Sequence, residues 1–191
     1  MKVGEMLTVK QRLGLSLTKG LSASQAVEAD ITFEFLKANK VPVSVLRACR
    51  IDAVQLKAIG AHEARHLSEI GFNALHLVDR AFCESTVAAY GASDVKDVFL
   101  NTANDAVALA GSHSVELLDV SADELLEACC AEPGCAHAVL QQMGSLKGVL
   151  PKTLLDTGMR RASLVALGYT ASRLVSEIQC DGSDLQVLGF C

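Results

Sequence analysis

Apolar residues return along this chain about every ten positions. A leucine or valine stands at Leu7, Leu17, Val27, Leu36, Leu46, Leu56, Leu67, Leu77, Val87, Val98, Val107, Leu117 and Leu125, and the series resumes at Leu154, Leu164, Leu174 and Leu185. Polar and apolar residues share the positions between these anchors about equally. Glycine often follows four places later, at Gly60, Gly71, Gly91, Gly111, Gly158, Gly168 and Gly189, which is seven of the fourteen glycines. Chance would place only about a tenth of them in one slot of a ten-residue frame, so the periodicity is a structural repeat.

The slots have a mechanical meaning. A glycine just past a helix end takes the left-handed conformation that closes the last turn. The apolar residue after that slot (Phe72, Phe82, Met159, Tyr169, Phe190) can then fold back toward the anchor. Four residues before an anchor stand Thr32, Asp52, Asn73, Asp94, Ser121, Thr170 and Asp181, side chains suited to capping free backbone amides. Asp52 with Gln55, and Ser121 with Glu124, have the spacing of reciprocal capping boxes. Pro151 suits the first turn of a helix. Each unit therefore reads as a cap, about two turns of helix, a stop and a reversal. So short a helix needs neighbours, because nucleation costs more than its few hydrogen bonds return.

These features predict an all-α fold, a solenoid of short capped helices in an approximately ten-residue repeat, broken near residues 127–150. Three segments follow: an N-terminal helical repeat block over 1–126, an irregular cysteine-containing connector over 127–149, and a C-terminal helical repeat block over 150–191, joined as one continuous domain. Only Val41–Val45 hints at extended backbone, and Pro42 argues against a central strand there. Lys40, Arg50 and Ile178 stand where glycine would be expected.

Composition adds limits. Half of the residues are hydrophobic, yet only 4% are aromatic and tryptophan is absent, which suits thin, closely packed helices. No apolar run reaches the ~18 residues that a membrane-spanning helix needs, and Met1–Gly14 lacks the apolar core of a signal peptide. Charge is segregated. Residues 1–60 carry nine Lys/Arg against five Asp/Glu, and residues 61–130 carry three against twelve. Such polarity suits oriented docking to protein partners. It does not favour nucleic acid, since no basic stripe interleaved with aromatics occurs.

Three motifs could carry chemistry. His62-Glu63-Ala64-Arg65-His66 matches H-E-x-x-H, in which two histidines on one helix face bind zinc and the glutamate is the general base. Gly60 and Gly71 leave little room for the long helix this needs. The second variable position is charged, and no third ligand follows at family spacing, although His76 and Glu84 are further donors. Cys130, Cys135 and His137, with Cys129, place thiolates and an imidazole in one short segment, a metal-friendly set without its usual partner pair. The seven cysteines show no disulfide-framework spacing, and Cys49 and Cys83 read as core residues; together these suggest a reducing intracellular compartment, cytoplasm or organelle interior. Arg160-Arg161-Ala162-Ser163-Leu164 resembles the substrate motif of basophilic kinases. No phosphate-cradling glycine loop or nucleophile elbow is present, and no cofactor is expected.

The phrases LSEIGF-N-A-x-x-L (from Leu67) and LVALGY-T-A-x-x-L (from Leu164) resemble tandem L-x-x-x-G-[FY]-[ST]-A-x-x repeats of short-helix solenoid proteins. The resemblance is strongest at 46–92 and 154–190, and it implies fold and a scaffolding role without catalytic residues. The expected function is therefore a non-enzymatic scaffold or structural subunit that binds other proteins, within a multi-subunit complex. The alternatives are a zinc-dependent hydrolase using His62, Glu63 and His66, and a nucleic-acid-binding helical repeat using the basic N-terminal third. Leu67 and Leu164 are expected in the core, and Leu188 on the exposed side.

Overall fold

The computed structural model describes residues 31–130 and 132–190; the expected anchors Leu7, Leu17 and Val27 lie outside them. Among the described residues the regular elements are fifteen α-helices and no strand. The chain divides after Phe99 into two compact units, so neither expected boundary, 126 nor 150, is where the division falls.

The first unit holds α1 (Phe33–Ala38), α2 (Val43–Ala48), α3 (Ala53–Ala58), α4 (Ala64–Glu69), α5 (Ala74–Leu77), α6 (Arg80–Tyr90) and α7 (Ala92–Phe99). Four of the seven are six residues long. Their starts follow the cap slots. Thr32 accepts from the Phe35 amide, and Asp52 accepts from Gln55 while the Gln55 side chain accepts from the Asp52 amide. Val41–Val45 is helical from Val43, with Pro42 as its N-cap. Asp94 is an exception: α7 begins at Ala92, directly after Gly91, so Asp94 lies inside the first turn.

The ends are alike from unit to unit. The residue five places after the anchor donates its amide to the anchor carbonyl: Val41 to Leu36 (3.1 Å), Ile51 to Leu46 (3.0 Å), Ala61 to Leu56 (3.0 Å) and Phe72 to Leu67 (3.0 Å). This is the closure of a Schellman motif, and the residue before it is left-handed. Gly60 (φ 113°) and Gly71 (φ 98°) occupy that position freely, but Lys40 (φ 47°) and Arg50 (φ 55°) occupy it too. The backbone stop is thus kept where the glycine is not.

The anchors Leu36, Leu46, Leu56, Leu67 and Leu77 are essentially fully buried. Burial of each contributes about 1.5–3 kcal/mol, which is what lets six-residue helices persist. The register then slips. Val87 and Val98 are only half-buried, and Thr86, Val95 and Phe99 take the interior positions. The eleven-residue α6 is the cause, since its extra turns rotate the inward face away from a ten-residue count. Cys49 and Cys83 are buried as expected.

Helices three apart in order lie side by side. The Phe33 ring of α1 stacks on His66 of α4, with centroids 4.7 Å apart. Arg47 of α2 donates to the His76 carbonyl of α5 and to Asp79 before α6. The Ala53 amide at the start of α3 donates to Ser85 Oγ of α6 (3.3 Å). Tyr90 Oη donates to the Ala61 carbonyl (2.6 Å) before α4. Three repeat units therefore complete one winding, and residues about 32 apart meet.

The second unit holds α8 (Ala103–Leu109), α9 (Ser114–Leu117), α10 (Ala122–Glu127), α11 (Pro133–Met143), α12 (Pro151–Asp156), α13 (Arg161–Ala166), α14 (Ala171–Ile178) and α15 (Gly182–Leu188). α8 packs on α11 and α12 on α15, again three apart, while α10 packs on α8, α11 and α12. Segment 127–149 is therefore no irregular connector. Its eleven-residue α11 starts at Pro133 and stops at left-handed Gly144, and Ala136, Val139 and Leu140 form a buried i, i+3, i+4 stripe. Pro133 and Gly134 read as breakers in sequence, yet sit where a helix start tolerates them.

Two further corrections concern register. Leu188 is fully buried, whereas the expected anchor Leu185, three residues earlier, is only half-buried, so Leu188 takes the interior position of α15. At α14 the left-handed residue is Gln179 (φ 60°), one beyond Ile178, and Ile178 is buried. Within this unit Leu125, Leu154, Leu164 and Leu174 are buried as expected, whereas Val107 and Leu117 are half-exposed beside buried Ala106 and Leu118.

Candidate functional site

The winding of the first unit leaves an open groove wherever one turn passes over the turn about 30 residues later. The first lies between the α1–α2 and α4–α5 turns, has a volume of about 360 Å³, and is lined by Lys37, Lys40, Pro42, Glu69 and Gly71 among others. The second lies one unit on, between the α2–α3 and α5–α6 turns, at about 340 Å³, with Arg47, Arg50, Asp52, Asp79 and Phe82. The third follows another unit later at about 450 Å³, with Lys57, His62, Arg65, Tyr90, Asp94 and Asp97. All three are lined by cations from the earlier turn and carboxylates from the later one.

The cations come from one slot. Lys37, Arg47 and Lys57 each follow an anchor leucine, so each leaves the last turn of its helix toward the next winding. Lys37 Nζ lies 2.7 Å from Glu69 Oε2, Arg47 Nη2 lies 2.5 Å from Asp79 Oδ2, and Lys57 donates to the Ala89 carbonyl. The three partners are each 32 residues on. Aromatic faces extend the same contacts: the Arg47 guanidinium sits 5.5 Å from the Phe82 ring centroid, and Lys57 Nζ 5.3 Å from that of Tyr90.

Protonation equilibria reflect these contacts. Hydrogen bonding from Lys37 lowers the Glu69 carboxyl, and Glu69 in turn raises Lys37. Asp79 is held below the ordinary carboxylate value chiefly by the Phe82 amide, with Arg47 adding to the effect. Burial pushes the Tyr90 phenol up to about 12, which keeps it a neutral donor to Ala61. Lys40 and Arg50 are exposed on the rims.

The H-E-x-x-H segment does not form a zinc-binding helix face. α4 begins at Ala64, with Glu63 as its N-cap residue and His62 before it, so His62 and His66 do not share a helical turn. His66 is stacked on Phe33, and Glu63 pairs with Arg65 at 2.6 Å. The further donors are also engaged: His76 Nδ1 accepts from the Asn73 amide, and Glu84 pairs with Arg80. The shortness imposed by Gly60 and Gly71 is the physical reason.

The cysteine segment is likewise drawn into the fold. Cys129 is fully buried, and burial pushes its thiol up to about 11. Cys130 points its thiol to the Leu126 carbonyl, and the Cys135 thiol faces Glu132 Oε2 at 3.3 Å. His137 lies in α11, half-buried. Among the described residues no three or more His, Cys, Asp or Glu side chains are gathered as a metal would require. Ser163 is half-buried at the third position of α13. The arginines before it turn to their own chain: Arg160 donates to the Met159 carbonyl at 2.9 Å, and Arg161 lies over Phe190.

Sequence reasoning passed over the groove cations. Their signal is a basic residue one place after three successive anchors (Leu36-Lys37, Leu46-Arg47, Leu56-Lys57), with a carboxylate two places after later ones (Leu67-Ser68-Glu69, Leu77-Val78-Asp79). No helix among the described residues is long and apolar enough to cross a membrane. No family model, curated protein or solved structure matches the chain.

Proposed function

We propose that this protein is a non-enzymatic scaffold or structural subunit that binds other proteins through the helical-repeat surface of its first unit. One observation carries the reading: three open grooves recur at ten-residue steps, each with a basic side chain of the earlier winding bound to a partner 32 residues on, a carboxylate in the first two and a backbone carbonyl in the third. A repeated shallow surface suits an extended partner that makes several similar contacts, as solenoids commonly do. It does not suit a small substrate, which needs one enclosed, largely apolar cavity. The nucleic-acid reading draws no support from Lys37, Arg47 and Lys57, whose charges are already spent on internal partners.

The test is affinity capture with the full chain from its native cell, followed by mass spectrometry. A reproducible partner whose capture falls several-fold with the paired rim changes Lys40→Glu and Arg50→Glu, and is unaffected by His62→Ala, is the expected result. Zinc-dependent hydrolysis abolished by Glu63→Gln would overturn the proposal. So would oligonucleotide binding that out-competes the captured protein.

A further inference from the structure

α5 is four residues long, Ala74–Leu77, and carries a joint of unusual composition. His76 is its third residue, and His76 Nδ1 accepts from the backbone amide of Asn73 at 3.1 Å. In a capping box this place belongs to Glu or Gln, acceptors that stay acceptors near neutral pH. An imidazole accepts at Nδ1 only while that nitrogen is unprotonated. The bond therefore fixes His76 as the neutral tautomer with its proton on Nε2.

The same residue closes the contact with the previous winding. Arg47 of α2 donates to the His76 carbonyl at 3.4 Å and pairs with Asp79. The His76 ring meets Phe72 edge-on, at 5.3 Å between centroids, and Phe72 stacks on Phe82 at 4.7 Å. Arg47 lies over that Phe82 ring. The charged group that acts on the imidazole is Arg47 of α2. At the start of α6, Asp79 is bound to Arg47 and to the Phe82 amide, and Arg80 and Glu84 pair with each other.

We infer that His76 makes the α2–α5–α6 joint of the first unit a proton-sensitive latch, closed when the imidazole is neutral and opened when it takes a proton. Protonation converts Nδ1 from acceptor to donor, so two N–H groups face each other and the Asn73 amide loses its partner. It also sets a cation beside Arg47, whose carboxylate is already engaged. A four-residue helix has almost no internal hydrogen bonding to fall back on. Burial is the largest influence on the ring and favours its neutral form; the backbone at Asn73 opposes it, and the Arg47 guanidinium adds to it, with the balance below the ordinary imidazole value.

The sign follows from linkage. With the folded-state imidazole below its ordinary value, the unfolded or opened state binds more protons, so stability falls as pH drops below about 6.5. The test is a ¹H–¹⁵N NMR titration of the full chain from pH 7.5 to 5. His76 should titrate below the ordinary imidazole value. The Asn73 amide should shift with the same midpoint, and amides 73–77 should lose exchange protection together. In His76→Gln, whose side chain keeps the acceptor, that loss should disappear, which separates His76 from the other histidines. His76 titrating at or above 6.5, an unmoved Asn73 amide, or the same loss of protection in His76→Gln overturns the inference. The wild-type titration decides the matter even where the variant folds poorly.

Discussion

Arg47 and Asp79 are 32 residues apart in sequence, and their side chains meet at 2.5 Å. Lys37 with Glu69 repeats that interval one unit earlier. The pairing of windings is thus set by charged side chains on the rims as well as by the leucine seam inside. Asp79 serves twice, because it also caps α6 through the Phe82 amide.

Those two duties differ in weight. The ion pair is partly exposed, so its net contribution is under about 1 kcal/mol, whereas losing an N-cap carboxylate costs about 0.5–2 kcal/mol. Asp79→Ala should destabilise the protein by roughly 1–2 kcal/mol, and Asp79→Asn, which keeps a capping oxygen, by clearly less. Equilibrium denaturation of both variants checks the order. Equal losses would assign the stabilisation to the charge.

Acid should act through the same caps. Asp79 lies below the ordinary carboxylate value chiefly through the Phe82 amide, and Asp181 chiefly through the Ser183 hydroxyl. A depressed folded-state carboxyl contributes stability above its unfolded value, here 3.8, and loses it as pH falls through the folded value. Stability measured by denaturation should drop below about pH 4. Asp79→Asn should flatten part of that slope, well separated from the histidine range.

The left-handed stop supplies a prediction of opposite sign. Lys40 and Arg50 hold positive φ without being glycine, a conformation that costs an ordinary residue about 1–2 kcal/mol. Arg50→Gly should therefore stabilise the protein by about 0.5–1 kcal/mol after the added freedom of the unfolded chain is counted. Gly60→Ala, at φ 113°, should destabilise it by at least ~1 kcal/mol. Melting curves for the pair test whether the two positions are one structural slot.

Core register can be read the same way. Leu67→Ala and Leu188→Ala should each cost roughly 2–5 kcal/mol, because both leucines are fully buried. Val187→Ala, at a side chain 58% exposed, should stay within about 0.5 kcal/mol. A large loss at Val187 with none at Leu188 would reverse the face assigned to α15.

The parts of the fold that were legible in sequence are those determined within a few residues. The Asp52–Gln55 and Ser121–Glu124 boxes, the stops at Gly60 and Gly71, and the shortness that removes His62 from α4 depend on neighbours within one unit. Register was lost where helix length changed. α6 runs eleven residues, so Thr86 rather than Val87 turns inward, and nothing in a ten-residue count signals the difference. α11 was hidden by Pro133 and Gly134, residues that break helices in their interiors but not at their starts. The groove rims were the hardest to read. Their partners stand 32 residues away, an interval that exists only once three units have closed a winding.

That interval places a rule on how the first unit can change length. A deletion of ten residues between Arg47 and Asp79 would leave every local cap and stop intact, yet it would set Arg47 opposite what now follows Asp79 by a full unit. Each later helix would move one station around the winding, and a deletion placed between Lys57 and Glu69 would part the members of all three 32-residue contacts together. The individual ten-residue unit, although it is the repeat in sequence, is therefore not a free module.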